Sequence, residues 1–168
     1  MVYRLIAIAV LLAALATSCT CDNDTKTVDS MSTSYEPKFR EDGQLWFLDE
    51  SGVDTNLRIT IEVAMTDEEI QYGMMYRKSM DEMNGMLFLM KNERPQSFWM
   101  KNTYIPLDII YINSQLRIVS IQKNAEPLSE TSLPSFEPAL YVLEVNGGFC
   151  DRHNVKVGDK VYFEHRRQ

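Results

Sequence analysis

The sequence predicts a mainly β (α+β) fold: a small curled antiparallel sheet or barrel of about eight short strands with one short helix. Three observations carry this expectation. Short apolar runs recur from residue 45 onward, most of them bounded by Pro, Gly, Asn or Ser. One of these runs alternates with the period of a strand, and one segment carries a helix-start signal.

Taken in order, the first strand is expected at Leu45–Leu48, followed by the turn residues Asp49-Glu50-Ser51-Gly52. Leu57–Ala64 alternates cleanly, with Leu57, Ile59, Ile61 and Val63 on one face and Arg58, Thr60 and Glu62 on the other. That is the pattern of a half-buried strand. Thr66-Asp67-Glu68-Glu69 is a capping box, in which the Thr hydroxyl takes the Glu69 amide and the Glu69 carboxylate reaches back. A short helix should follow, with Ile70 and Met74 on one face and Gly73 near its end. Further strands are expected at Met86–Met90, Ser97–Lys101, Leu107–Ile112, Leu116–Ile121, Leu140–Val145 and Lys160–Glu164. Asn113-Ser114-Gln115 makes a tight hairpin, and Asn146-Gly147-Gly148 and Val157-Gly158-Asp159 mark the last turns.

A chain of 168 residues with 45% apolar content has room for one such core and some tail. The domain is assigned to residues 44–168. Residues 20–43 are rich in Thr, Ser, Asp, Lys and Glu and have no periodicity. Such a composition buries too little surface to offset chain entropy, so it reads as a disordered tether with a reach of roughly 80 Å.

The N-terminus reads as an export signal spanning residues 1–18. Arg4 supplies the positive charge, and Leu5 to Leu15 form an apolar run of 11 residues, too short for an ordinary membrane span. Ala16, Thr17 and Ser18 then lead into Cys19. Small residues directly before a cysteine resemble the lipobox, where the thiol is diacylated and the signal is cut just before it. Leu is usual three residues before the cysteine. Here Ala16 holds that place, and an ordinary secretory signal is the alternative. Thr20 after the cysteine, rather than Asp, favours the outer membrane, on its periplasmic face or at the cell surface. Cys21 in the tether and Cys150 in the domain are expected as free thiols.

Charge narrows the partners. The formal net charge is −7, and removing residues 1–18, whose only charge is Arg4, leaves −7 − 1 = −8. An acidic domain without a basic stripe does not suit nucleic acid or an anionic membrane surface. The membrane should be held through the N-terminal lipid instead, and an envelope protein or glycan is the expected partner.

The most unusual stretch runs from Phe98 to Ile110: Phe98-Trp99-Met100-Lys101-Asn102-Thr103-Tyr104-Ile105-Pro106-Leu107-Asp108-Ile109-Ile110. Together with Gly73-Met74-Met75-Tyr76-Arg77, Gly85-Met86-Leu87-Phe88, Tyr141-Val142-Leu143-Glu144-Val145 and Val157-Gly158-Asp159, it resembles the family of domain of unknown function 192, from about Leu57 to Phe163. Met75 and Tyr76 depart slightly from the family pattern, and Cys150-Asp151-Arg152-His153 fills a variable loop. The resemblance implies a fold and frequent export. It implies no accepted reaction and no catalytic residues.

The chemistry of the block is therefore read from its residues. Asp108 shares a strand face with Ile110 and Ile112, and a carboxylate there needs a cation or several amide donors. Arg77 and Lys101 are the expected cations. The functional reading is a binding pocket in which Arg77 and Lys101 hold an anion, Trp99 stacks on a flat ligand, and Asn102 and Thr103 add hydrogen bonds. The structural reading is a buried pair in which Asp108 fixes the 102–106 loop. Seven of the ten methionines lie between Met74 and Met100, which suits Cu(I) chemically but more simply fills irregular core. No zinc, calcium, phosphate-loop or nucleophile-elbow motif occurs, and no cofactor is expected. Asp108 and Glu144 form a carboxylate pair only as any two strand acids would. The favoured function is a non-enzymatic binding or accessory domain on an envelope lipoprotein. The alternatives are an enzyme on an envelope polymer using Asp108 with Lys101 or Arg77, and a copper carrier through the methionines.

Overall fold

The computed structural model describes residues 36–167. The signal, Cys19, Cys21 and most of the tether lie outside the described residues. Among these residues the chain forms β1 (Gly43–Leu48), β2 (Asp54–Ala64), α1 (Asp67–Tyr72), β3 (Asn84–Phe98), β4 (Leu107–Ile112), β5 (Ile118–Ala125), β6 (Leu133–Asn146), α2 (Phe149–Arg152) and β7 (Lys160–His165). The fold is mostly β, a curled mixed sheet in the form of a half-barrel, with minimal helix.

The sheet runs in the order β5-β4-β6-β3-β2-β1-β7. Its two outer strands approach each other at one end: the Ile118 amide donates to the Asp159 carbonyl at 2.8 Å and the Val161 amide to the Leu116 carbonyl at 2.9 Å. Of the differences from the sequence expectation, two bear on the site. The runs Met86–Met90 and Ser97–Lys101 meet in one long strand, β3, because Arg94 and Pro95 between them pair with β6 across two register shifts. The strand ends at Phe98, so Lys101 lies in a loop. In addition, β2 and β3 run parallel, in a sheet whose other pairs are antiparallel. Parallel neighbours need a crossover, and residues 65–83 supply it, α1 included.

That crossover sets where the site can form. The inner face of the curl holds Leu45, Phe47, Ile59, Ile61, Val63, Leu87, Ile110, Leu143 and Val145. The outer face would ordinarily meet water. The crossover and residues 99–106 cover it instead, over a second apolar cluster of Met74, Met86, Phe88, Met100, Ile109 and Tyr111. Strand β4 is consequently buried along its whole length, on both faces.

The capping box forms as expected: the Glu69 amide donates to the Thr66 hydroxyl at 3.2 Å and the Thr66 amide to the Glu69 carboxylate at 3.1 Å. Upstream of β1, the Lys78 amide donates to the Glu36 carboxylate and the Val63 amide to that of Asp42, so residues 36–42 already lie against the domain.

Candidate functional site

The outer face of β2 carries Glu62, which the alternating pattern assigned to solvent. The structure buries it completely, because the crossover lies over it. Its carboxylate takes the Arg77 guanidinium in a buried ion pair, and the Arg40 amide donates to its other oxygen. Arg77 is thereby committed to Glu62, with its Nε left without a hydrogen-bond partner.

In register, Glu62 stands beside Met86 on β3, and Met86 beside Glu144 on β6. Glu144 is 4% exposed and its Oε2 has no hydrogen-bond partner. Desolvation raises its pKa to about 8, and the Arg77 charge offsets only part of this. It is a neutral acid through most of the physiological range.

Glu144 lies in the lining of a cleft of about 250 Å³. Phe88, Phe98 and Trp99 give the cleft aromatic surface, Met74, Met75 and Met90 give it thioethers, and Lys101 and Thr103 add polar groups. Gly73 shapes it. Its φ of 46° is a conformation that favours glycine, and a Cβ there would lie 3.1 Å from the Phe88 ring and 3.8 Å from Glu144 Oε2. A second cleft of about 500 Å³, lined by Glu62, Arg77 and Arg40, shares Tyr72, Gly73 and Met75 with the first.

The residues singled out from sequence fall into separate places. Trp99 is 43% exposed, and the Lys101 ammonium sits 5.1 Å from its ring centre and 3.8 Å from Glu130. Thr103 is buried and lines the same cleft. Asn102 adopts a left-handed φ of 55° and ties the 99–106 loop to the crossover: its amide nitrogen donates to the Tyr76 hydroxyl, and its carbonyl accepts the Tyr76 amide at 2.8 Å.

Asp108 is elsewhere. In register it faces Val145 while Ile109 faces Glu144, so Asp108 and Glu144 point to opposite faces of the sheet. Its partners are amides rather than Arg77 or Lys101. The Asn124 and Gly148 amides donate to Oδ1 at 2.8 and 2.9 Å, and the Cys150 amide to Oδ2 at 2.8 Å. Asp108 therefore pins the start of α2 and strand β5, not the 102–106 loop. Cys150 is buried there, and its thiol pKa is pushed up by burial and by Asp108. Of the seven methionines from Met74 to Met100, Met74, Met80, Met86, Met90 and Met100 belong to the outer cluster, Met75 lines the cleft and Met83 is exposed. Among the described residues no group of three or more His, Cys, Asp or Glu is placed to hold a metal ion.

Residues 50–163 match the family of domain of unknown function 192, described as Uncharacterized ACR. The chain is similar to a solved structure from Sinorhizobium meliloti 1021, provisionally named a transcription regulator. Identity there is 37% and the TM-score 0.69, and the match covers 76% of this chain and 98% of that one. It is also similar to a protein of unknown function from Novosphingobium aromaticivorans DSM 12444, at 39% identity and a TM-score of 0.66, covering 71% of this chain and 83% of that one. No curated protein matches the chain.

Proposed function

The chain belongs to the family of domain of unknown function 192, and from that premise we infer a lipid-anchored envelope protein whose domain binds a small ligand in the Glu144 cleft. The observation that carries the ligand site is the unpartnered Glu144 Oε2, buried among aromatic walls. A buried polar atom without a partner costs free energy, and a ligand donor that completes it recovers that cost on binding. The exposed Trp99 ring at the same cleft offers a flat apolar surface.

The anchor rests on the run from Leu5 to Leu15 and the small residues before Cys19. Thr20 directs the lipoprotein to the outer membrane. The regulator name of the Sinorhizobium protein is not carried over to this chain, because a net charge of −7 works against phosphate contact. An enzyme built on Asp108 with Lys101 or Arg77 has less support than binding. Asp108 is saturated by three amides on the other face, and Arg77 is held by Glu62.

The test is extraction of the full lipoprotein from membranes in mild detergent, followed by mass spectrometry of the small molecules, glycans and proteins retained. A small molecule retained by the wild type and lost from Glu144→Gln and Trp99→Ala is the expected result. A protein or glycan retained equally by all three would move the function away from the cleft.

A further inference from the structure

Two carboxyls and one guanidinium are buried together on the outer face, so the acids outnumber the cation. Glu62, Met86 and Glu144 stand side by side across β2, β3 and β6, so two strand spacings, about 10 Å, separate the two acids. Arg77 bonds to Glu62, and its charge also acts on Glu144. Arg77 is thus the buried cation shared by the two acids, while the more exposed Arg40 acts on Glu62 at longer range.

The side chains of the neighbouring cations bond elsewhere. The Arg40 side chain is half exposed and bonded to Asp42, and Lys101 lies against Trp99 and Glu130 at the rim. The Tyr111 hydroxyl, on β4, donates to the Leu133 carbonyl. In the protein alone, burial resolves the shortfall by keeping a proton on Glu144. A ligand could resolve it by bringing a positive charge.

We propose that the cleft takes a small organic cation, a primary ammonium on an apolar body, with the ammonium donating to Glu144 Oε2. The proposal rests on the reading of this cleft as a ligand site and adds the ligand's charge. The body would lie against Phe88, Phe98 and Trp99, whose ring faces attract cations. An anion is disfavoured, since Arg77 is already paired, Glu144 is the acid in the lining, and Lys101, the cation in the lining, lies at the rim against Trp99 and Glu130. The proton balance is definite. The ammonium enters with its charge, Glu144 ionises to meet it, and the Glu144 proton passes to solvent.

The test is isothermal titration calorimetry on the full chain in detergent at pH 7, in two buffers of different ionisation enthalpy. The probes are benzylammonium, benzyl alcohol and benzoate. Benzylammonium should bind at least about tenfold more tightly than the alcohol, the gain of one charge-assisted hydrogen bond. It should release about one proton, because Glu144 is mostly protonated at pH 7. In Glu144→Gln that release should disappear and the ammonium affinity fall about tenfold, with the alcohol little changed. The proton count is read on the wild type, so it stands whether or not the variant folds. Alcohol or benzoate binding as tightly as the ammonium would overturn the cation inference and leave the ligand site intact. If none of the three binds at millimolar concentration, the ligand site falls as well.

Discussion

At the scale of single residues, Asp108 and Glu144 show two fates of a carboxyl in one sheet. Asp108 accepts three amide hydrogen bonds on the inner face, so its charge is compensated by dipoles. Asp108→Asn replaces one acceptor oxygen by a donor that faces an amide. Hydrogen bonds to a charged group are worth about 1.5–3 kcal/mol each, so the variant should lose about 2–4 kcal/mol in a denaturant melt of the full chain. Trp99→Ala should cost under about 1 kcal/mol, because the ring is 43% exposed. Glu144 behaves oppositely. Its folded pKa of about 8 lies above the ordinary 4.5, so the native state holds a proton that the unfolded chain has released. The stability this gives is full below about pH 4.5 and declines as pH rises to about 8. Glu144→Gln removes the titration. Its melts should match the wild type at pH 4.5 and exceed it by on the order of a few kcal/mol at pH 8.5. A difference that does not change with pH would refute the assignment. The sequence could suggest that Asp108 was buried, because it interrupts an apolar strand. Glu144 gave no such signal, since an acid on the outer side of an alternating strand ordinarily faces water. Glu62 was assigned to solvent for the same reason.

At the scale of elements, what buried those acids is the crossover of residues 65–83, and its start was legible. The capping box fixes where α1 begins, and the turn after it carries Gly73 and Arg77 to the site. The parallel pairing of β2 with β3 was not legible, because local pattern gives strand faces but not strand neighbours. The merger of two predicted runs into β3 has a similar cause: the polar stretch Lys91 to Gln96 separates two apolar runs, yet its Arg94 and Pro95 pair with β6. Thr66→Ala should cost about 1 kcal/mol through the lost cap and loosen the shared wall of both clefts. Glu69 adds a pH dependence of opposite sign to that of Glu144. Burial would raise its pKa, but the Met65 and Thr66 amides and Arg167 outweigh this and hold it at about 2. Its stabilisation is therefore present above about pH 4.5 and lost as pH falls toward 2. Acid melts of Glu69→Gln should show a shallower loss across that window than the wild type. An unchanged acid limb would mean that the carboxylate does not hold the helix start.

At the scale of the whole molecule, the proposed anchor and the proposed cleft occupy separate stretches of chain, so each can be removed without the other. The acidic charge gives the domain no electrostatic attraction to an anionic membrane. Membrane residence should therefore depend on acyl chains at Cys19, where each buried CH₂ contributes about 0.8 kcal/mol and more than one chain is needed for stable attachment. Cys19→Ala should abolish acylation and move the full chain from the membrane fraction to the soluble fraction of the envelope. The same protein should still bind benzylammonium with unchanged proton release, since no residue of the cleft is altered. Glu144→Gln should do the reverse, staying with the membrane while losing the proton release. Carbonate-washed membranes separate the two accounts of the N-terminus. If Cys19→Ala remains in the washed membrane, the run from Leu5 to Leu15 is a retained anchor and the lipid reading fails. If it leaves the membrane while the wild type stays, lipid on Cys19 is the attachment.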